Sequence, residues 1–344
     1  MDYDHSALGA AMIRRLPKAP LTAKGQIRLP AIPALLEAHI ERLNTLFTSF
    51  GRAFNEADLN HLREILRRKM EEGYKQTPYA GVLVQYETQG LPKTGLNYRV
   101  GLVITTMADE YAEWVKTRKP PLFGAHPDAK VMDLARSIGT PAEVPVLDIG
   151  AGTGRNTLPL ARAGFPAGAV ELSPDLVALL RREIESEGLD VKVFEGNMLT
   201  DELGLTRRQY RLIIACEVVS HFRTVAEVGV FFRKTAELLA PGGLLAFSVF
   251  LADEGYEPDP IAFELSQAQW CTLYTRGQLA EVGQGVELEL VSDESVYEYE
   301  HEHLPKEAWP PTGWFADWST GLDLFDLPRE ESPIDMRWLV YRRT

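Results

Sequence analysis

Cysteine is scarce in this 344-residue chain, which contains only Cys216 and Cys271. Neither belongs to a Cys-x-x-Cys pair or to a Cys/His cluster with zinc spacing, so the pattern argues against a disulfide scaffold and a structural zinc site. The chain has no run of roughly 20 apolar residues, and residues 1–20 lack the apolar core of an export signal. We therefore expect a cytoplasmic protein without membrane contact.

Positive charge is also in short supply. The 36 Lys and Arg residues face 49 Asp and Glu residues, which gives a formal net charge of −13. An enzyme that acts on nucleic acid is expected to carry a basic stripe near its site, so we expect no nucleic-acid partner. The hydrophobic share of 45% is typical of a globular protein with a substantial core.

The N-terminal part of the chain predicts a mixture of helices and strands. Apolar residues recur at helical spacing in segments 33–50 and 56–70, with Asn55 as the expected N-cap of the second helix and Gly73 as its end. Segments 82–86 and 98–105 predict a β-hairpin. We assign residues 1–140 to an N-terminal mixed helical and β extension, which would serve as a lid, a substrate region or a homodimer interface.

The pattern then changes to short apolar strands that alternate with helices, which is typical of a doubly wound parallel α/β sheet. We predict seven strands, near 144–149, 167–171, 191–195, 211–216, 244–250, 286–296 and 336–342. The predicted helices lie near 155–163, 174–187, 225–239 and 275–282. Residues 141–344 therefore form the predicted C-terminal α/β domain.

A glycine-rich turn follows the first of these strands, with Gly150, Gly152 and Gly154 in the run Val146-Leu147-Asp148-Ile149-Gly150-Ala151-Gly152-Thr153-Gly154. Such a turn lets the backbone approach a ligand, and the next helix offers free N–H groups. The third glycine of a dinucleotide fingerprint would fall at Arg155, which argues against tight pyrophosphate binding. An NAD-dependent oxidoreductase is thus the less favoured enzyme class.

Polar residues mark the carboxyl ends of the next strands, where ligands bind in open α/β sheets. Glu171 ends the second strand and is suited to accept both hydroxyls of a ribose. Asn197 and Met198 follow the third strand, where they would face an adenine. The fourth strand leads into Glu217 and His221.

Taken in order, these segments resemble the class I S-adenosylmethionine-dependent methyltransferases, over roughly residues 144–344. The resemblance implies a Rossmann-like methyltransferase sheet that binds S-adenosylmethionine (SAM) and releases S-adenosylhomocysteine (SAH). It implies methyl transfer to an O or N atom of a small or medium organic acceptor. The cofactor-binding residues that it implies are Asp148, Gly150, Ala151, Gly152, Gly154, Glu171, Leu172, Asn197 and Met198, with Glu217 and Tyr111 as further contacts.

Segment 216–222 is similar to the matching segment of ubiquinone-pathway O-methyltransferases, which carry two Glu and one His associated with a divalent metal. Glu217 and His221 match, but Ser220 replaces the second Glu, so we predict no metal. His221 is the candidate catalytic base, because an imidazole titrates near neutral pH. The alternative is that His221 only orders its loop.

A tryptophan-rich insertion at about 303–333 separates the last two predicted strands. It contains Trp309, Trp314 and Trp318, three of the six tryptophans. They predict either an aromatic wall for the acceptor or a satellite hydrophobic cluster that pins a long loop. Protein side-chain methylation and a non-catalytic nucleoside-binding module of the same fold remain alternatives for the whole chain.

Overall fold

The computed structural model describes residues 5–15, 23–89 and 95–344. The chain forms two compact units, Met1–Thr106 and Met107–Thr344, here called the N-terminal and C-terminal units. The division lies earlier than the expected boundary between residues 140 and 141. The physical reason is that the two helices between these boundaries pack against helices of the C-terminal unit. None of the helices in the described ranges combines the length and apolar character that a membrane span requires.

The N-terminal unit places helices against a three-stranded antiparallel sheet of order β1-β2-β3. Its elements are α1 (His5–Arg15), β1 (Lys24–Pro30), α2 (Leu36–Ser49), α3 (Glu56–Gln76), β2 (Gly81–Thr88) and β3 (Leu96–Val103). Strand β1 was not predicted. Leu43, Phe47, Leu62, Leu66 and Val84 are fully buried between the helices and the sheet. The predicted hairpin and both long helices are confirmed.

The predicted start of α3 is confirmed, and its predicted end is wrong. Asn55 caps the helix as expected, since its side chain accepts from the Asp58 N–H and the Asp58 carboxylate accepts from the Asn55 N–H. Gly73 was wrong as the end, because α3 continues to Gln76. A Cβ at Gly73 would lie 2.7 Å from Leu102 of β3. This glycine, inside α3, therefore lets the helix pack closely against the sheet.

The C-terminal unit contains the predicted α/β domain. Its first elements are α4 (Met107–Thr117), α5 (Ala129–Ile138), β4 (Val146–Ile149), α6 (Thr157–Arg162), β5 (Ala167–Glu171), α7 (Pro174–Glu187), β6 (Val191–Glu195), β7 (Tyr210–Ala215) and α8 (Val225–Leu238). The remainder are β8 (Leu239–Ala252), α9 (Pro260–Ala268), β9 (Leu273–Tyr274), α10 (Arg276–Val282), β10 (Leu288–Ser295), α11 (Val296–His303), α12 (Phe315–Ser319), α13 (Leu322–Phe325) and β11 (Ile334–Arg343). All seven predicted strands and all four predicted helices of this domain are present.

The strand order of the main sheet is β10-β11-β8-β7-β4-β5-β6, and the two-residue β9 adds an unpredicted eighth strand beside β8. β8, β7, β4, β5 and β6 run parallel, whereas β11 is antiparallel to both of its neighbours. The usual dinucleotide-binding sheet has no antiparallel strand at the position that β11 occupies, between β10 and β8. The parallel strands bring their carboxyl ends to one edge of the sheet, where the functional residues meet.

Candidate active site

A cavity of about 640 Å³ opens where β4, β5, β6 and β7 end. The predicted residues that line it are Tyr111, Asp148, Gly150, Ala151, Gly152, Glu171, Leu172, Asn197, Met198, Glu217, His221, Trp314 and Trp318. The structure therefore brings the expected cofactor residues and the candidate base into one cavity. Two predicted residues, Gly154 and Trp309, do not line it.

The glycine-rich turn forms the floor of the cavity beside β4. Gly150 and Gly152 have φ angles of 73° and 56°, in the left-handed region that side chains disfavour. Asp148 is buried at the end of β4, where its Oδ2 accepts from the Thr157 hydroxyl at 2.6 Å. Burial raises the pKa of Asp148 to about 7, because the charged form loses solvation.

Glu171 ties the second strand to the glycine turn. Its Oε2 accepts from the Gly152 N–H and its Oε1 accepts from the Ser173 N–H, each at 2.8 Å. Burial raises the pKa of Glu171, although these hydrogen bonds favour the charged form. The Leu172 N–H also interacts with this carboxylate, which offers about four acceptor positions, so acceptor capacity remains for a ligand.

Gly154 has a packing role instead of the predicted cofactor contact. Its φ angle is 94°, and a Cβ there would lie 2.7 Å from both Leu158 and Leu180. The glycine therefore lets the turn pack closely against α6 and α7. This correction follows from the direction in which Gly154 faces, which the spacing of the glycines does not reveal.

Asn197 and Met198 lie at the end of β6, as predicted. The Asn197 Oδ1 accepts from the Leu199 N–H at 2.8 Å, so the oxygen expected to meet adenine already has one partner. Its second lone pair and the Nδ2 donor remain as possible ligand contacts. Met198 is buried and completes an apolar wall with Leu172.

Arg155 is a cavity residue that the sequence analysis treated only as a missing glycine. Its Nη2 lies 2.6 Å from Glu217 Oε1, and its Nη1 lies 3.0 Å from Asp128 Oδ1. Burial opposes the charged guanidinium, but the two carboxylates outweigh it and raise the pKa of Arg155. The basic residue at this position was visible in the sequence, whereas its two partners are remote along the chain.

The turn after β7 holds Glu217 at the cavity wall with a φ angle of 60°. Its backbone N–H donates to Ser248 Oγ at 2.7 Å, and its carbonyl accepts from Ser220 Oγ at 3.1 Å. Burial raises the pKa of Glu217, against the charge of Arg155. Across the described ranges, no group of three or more His, Cys, Asp or Glu side chains is arranged to hold a metal ion.

His221 lines the same cavity as the glycine turn. Its Nε2 is 3.3 Å from the Tyr111 hydroxyl, and its ring meets Trp270 edge to face. Burial lowers the pKa of His221 to about 4. The imidazole is therefore neutral at pH 7 and can accept a proton. Burial nevertheless makes it a weaker base than the near-neutral titration behind the prediction of His221 as the catalytic base implies.

An aromatic wall continues from His221, and most of it was not predicted. Trp114 and Trp270 stack with ring centroids 4.9 Å apart and planes 8° apart, next to Tyr111 and Phe123. Trp270 has a φ angle of 60°, which is unusual for a bulky residue. These residues come from segments far apart in sequence that carry no motif, so only their aromatic character could have drawn attention to them.

The tryptophan-rich insertion contributes residues both to the cavity wall and to a hydrophobic cluster. Trp314 and Trp318 line the cavity, and Trp318 Nε1 donates to the Gln269 carbonyl at 3.1 Å. Trp309 instead packs edge to face against Tyr297 and Phe315, within the hydrophobic cluster behind the wall. The insertion therefore supplies two lining residues and one anchor.

Comparisons with known proteins agree with this geometry. A protein-family model for the methyltransferase domain matches residues 109–293. The ubiquinone biosynthesis O-methyltransferase of Azorhizobium caulinodans is 32% identical over 114 residues, which cover 33% of this chain and 43% of that protein. Its counterpart in Nitrobacter winogradskyi is 34% identical over 114 residues, covering 33% and 41%. The chain thus spans about two fifths of the length of these relatives.

A solved structure shows the same fold. Geranyl diphosphate C-methyltransferase from Streptomyces coelicolor A3(2), crystallised with Mg²⁺, geranyl diphosphate and SAH, superposes with a TM-score of 0.50 and 15% identity, over 63% of this chain and 80% of that one. The family model extends from α4, before the glycine turn, into β10, and covers more than half of the chain. The chain therefore belongs to the class I S-adenosylmethionine-dependent methyltransferases.

Proposed function

We propose that this chain transfers a methyl group from SAM to an O or N atom of a small or medium organic acceptor, in the cytoplasm. One observation carries the proposal. A single cavity of about 640 Å³ joins the glycine turn and Glu171 on one side to His221 and the aromatic wall on the other. This volume lies within the range of small-molecule sites, roughly 300–1,000 Å³.

The polar side of the cavity fits the cofactor. Glu171 keeps acceptor capacity for the ribose hydroxyls, and the glycine turn lets the backbone approach the methionine part near Asp148. Met198 and Leu172 offer apolar surface for an adenine. Leu172 is 45% exposed despite its apolar side chain, as expected of a residue that a ligand covers.

His221 is proposed as the base that removes a proton from the acceptor. SAM, when bound, supplies an electrophilic methyl group on a sulfonium, and the protein must align the acceptor, exclude water and take the proton. The neutral imidazole of His221 can receive that proton, with Tyr111 at hydrogen-bonding distance to orient the ring. A hydroxyl acceptor suits this arrangement, since it must lose a proton to become a good nucleophile.

The aromatic side suits an acceptor with an apolar or planar body. Trp114, Trp270, Trp314 and Trp318 offer large rigid surfaces that bind such a body at low entropic cost. The relatives named above carry the name ubiquinone biosynthesis O-methyltransferase, which is compatible with this class of acceptor. The chain aligns with less than half of each, so the acceptor itself is left to experiment.

Calorimetric titration with SAM, SAH and NAD tests the proposal first. We expect binding of SAM and SAH and no binding of NAD. Labelled SAM and a panel of phenols, amines and carboxylic acids then identify the acceptor by label transfer. Binding of NAD alone would refute the proposal, and cofactor binding without transfer to any acceptor class would favour a non-catalytic module.

For the N-terminal unit we propose the homodimer contact that the sequence suggested. Its support is the amphipathic pattern of α2 and α3 in the sequence alone, because the structure buries their apolar residues, such as Leu43 and Leu62, inside the same unit. Light scattering on the full chain measures the oligomeric state. A monomer at high protein concentration would exclude this role and leave that of a lid or substrate region.

A further inference from the structure

A buried ion cluster joins three segments of the C-terminal unit at the cavity wall. Arg155 follows the glycine turn, Asp128 precedes α5, and Glu217 follows β7. The side chain of Arg155 is 8% exposed, that of Asp128 is 3% exposed and that of Glu217 is 18% exposed. The Arg155 contacts are therefore shielded from solvent, in contrast to surface ion pairs, which contribute little.

Asp128 is held independently of Arg155. Its Oδ2 accepts from Asn156 Nδ2 at 2.9 Å, and its backbone N–H donates to Asn156 Oδ1 at 2.8 Å. Glu217 has a different support. The only side-chain hydrogen bond that the structure records for its carboxylate, within the described residues, comes from Arg155. The position of that carboxylate therefore depends on the guanidinium.

The backbone at Glu217 also indicates a functional constraint. A φ angle of 60° is rare for a residue other than glycine, and such conformations concentrate at functional sites. The contacts with Ser248 and Ser220 hold this conformation, which directs the side chain toward Arg155 and the cavity. A surface turn would not need this arrangement.

The surroundings of the cluster are rich in acidic groups. Asp148 lies at the end of β4, Glu171 at the end of β5 and Cys216 beside Glu217, while Glu300 of α11 accepts from the Ala129 and Lys130 N–H groups. Burial raises the pKa of Glu300 to about 8, with the charge of Asp128 adding to the effect. Arg155 is thus the cation that directly balances Asp128 and Glu217 in an otherwise acidic environment.

We propose that Arg155 is a positioning residue that holds the Glu217 carboxylate in place at the cavity wall, so that the site favours the cationic methyl donor over the neutral product. The inference rests on the function proposed above. SAM carries a sulfonium charge that SAH lacks, and a fixed carboxylate stabilises the charged ligand more than the neutral one. Glu217 thereby contributes to holding the donor and releasing the product.

The test is the ratio of the SAM and SAH affinities, measured by calorimetry at pH 7.5 for the full chain. In Arg155→Met, Glu217 loses its counter-charge and its side-chain hydrogen-bond donor, so SAM should lose about tenfold more affinity than SAH. Arg155→Lys retains a cation but loses the planar fork that spans Asp128 and Glu217, so its ratio should lie between those of the wild type and Arg155→Met. Arg162→Met removes an arginine from the exposed ion pair with Glu187 and should leave both affinities unchanged.

A double-mutant cycle isolates the pair. Glu217→Gln should lower the ratio as Arg155→Met does, and adding Arg155→Met to Glu217→Gln should lower it no further. Equal losses of SAM and SAH affinity in Arg155→Met would overturn the inference and leave Arg155 a structural residue. A rise in SAM affinity would overturn it as well, because Glu217 would then act on the donor without help from Arg155. Failure of the wild-type chain to bind either ligand would instead refute the proposed function.

Discussion

The two sides of the cavity are built in different ways. The cofactor side consists of turns that directly follow β4, β5 and β6, and short hydrogen bonds such as that between Glu171 and Gly152 connect them. The aromatic side is assembled from α4, the segment after α9 and the insertion after α11, with Trp114, Trp270 and Trp318 as its members. One side depends on the sheet, and the other depends on the elements added around it.

This difference separates the chemistry that the family shares from the specificity of this chain. Strand ends in a parallel sheet have fixed relative positions, so their polar residues form a site that tolerates little change. Loops and added helices vary more freely and carry specificity. We therefore expect substitutions on the cofactor side to abolish binding of the donor, and those on the aromatic side to alter only the acceptor.

The largest effect is expected for Glu171→Ala. Loss of two charged hydrogen bonds to the ribose, each contributing about 1.5–3 kcal/mol, should weaken SAM binding about 1,000-fold. Calorimetry measures the affinity. Glu195→Ala, at the exposed end of the neighbouring strand, is the matched control and should bind normally. Normal SAM affinity in Glu171→Ala would show that Glu171 does not bind the ribose.

The second effect concerns His221→Ala, which lies where the two sides meet. Loss of the general base should reduce turnover about 100-fold, while SAM affinity changes less than twofold. Single-turnover transfer from labelled SAM and calorimetry measure the two quantities. Equal loss of binding and turnover would show that His221 only orders its loop. Tyr111→Phe is the companion variant, with a smaller loss from the 3.3 Å contact.

The third prediction uses the low pKa of His221. Burial lowers it to about 4 from 6.5, so the unfolded chain binds a proton there that the folded chain excludes. Stability from this group is present above pH 6.5 and declines toward pH 4, by about 2 kcal/mol between pH 7 and pH 5. Urea unfolding measures the free energy of unfolding at both pH values. This free energy should decline less between pH 7 and pH 5 in His221→Gln than in the wild type. Parallel declines would contradict the buried neutral imidazole.

The smallest effect should distinguish Trp270, on the aromatic side, from Trp309, which does not line the cavity. Trp270→Ala removes half of the stacked pair and should raise KM for the acceptor about tenfold, without changing SAM affinity. Trp309→Ala, in the cluster behind the wall, should lower the melting temperature and leave KM unchanged. An increase in KM in both variants would mean that the wall acts as one packed structure.

Much of the C-terminal unit followed from the sequence because its strands are short apolar runs bounded by turns. β5 and β6 have the predicted bounds, and α7 has the predicted bounds as well. The two-residue β9 was missed because so short a strand has no periodicity. Gly73 was misjudged because a glycine that permits packing and one that ends a helix look alike in sequence.

The amino-acid sequence by itself predicted the sheet and the polar residues at its strand ends, such as Asp148 and Glu171, that line the cavity. Glycines and carboxylates at strand ends are local signals, and parallel pairing brings such ends together without further information. Only the tertiary structure decided that Gly154 faces α6 and α7, that Arg155 pairs with Glu217, and that Trp270 joins the cavity. These outcomes depend on contacts between distant segments, and the spacing of residues along a chain does not encode which side chains meet.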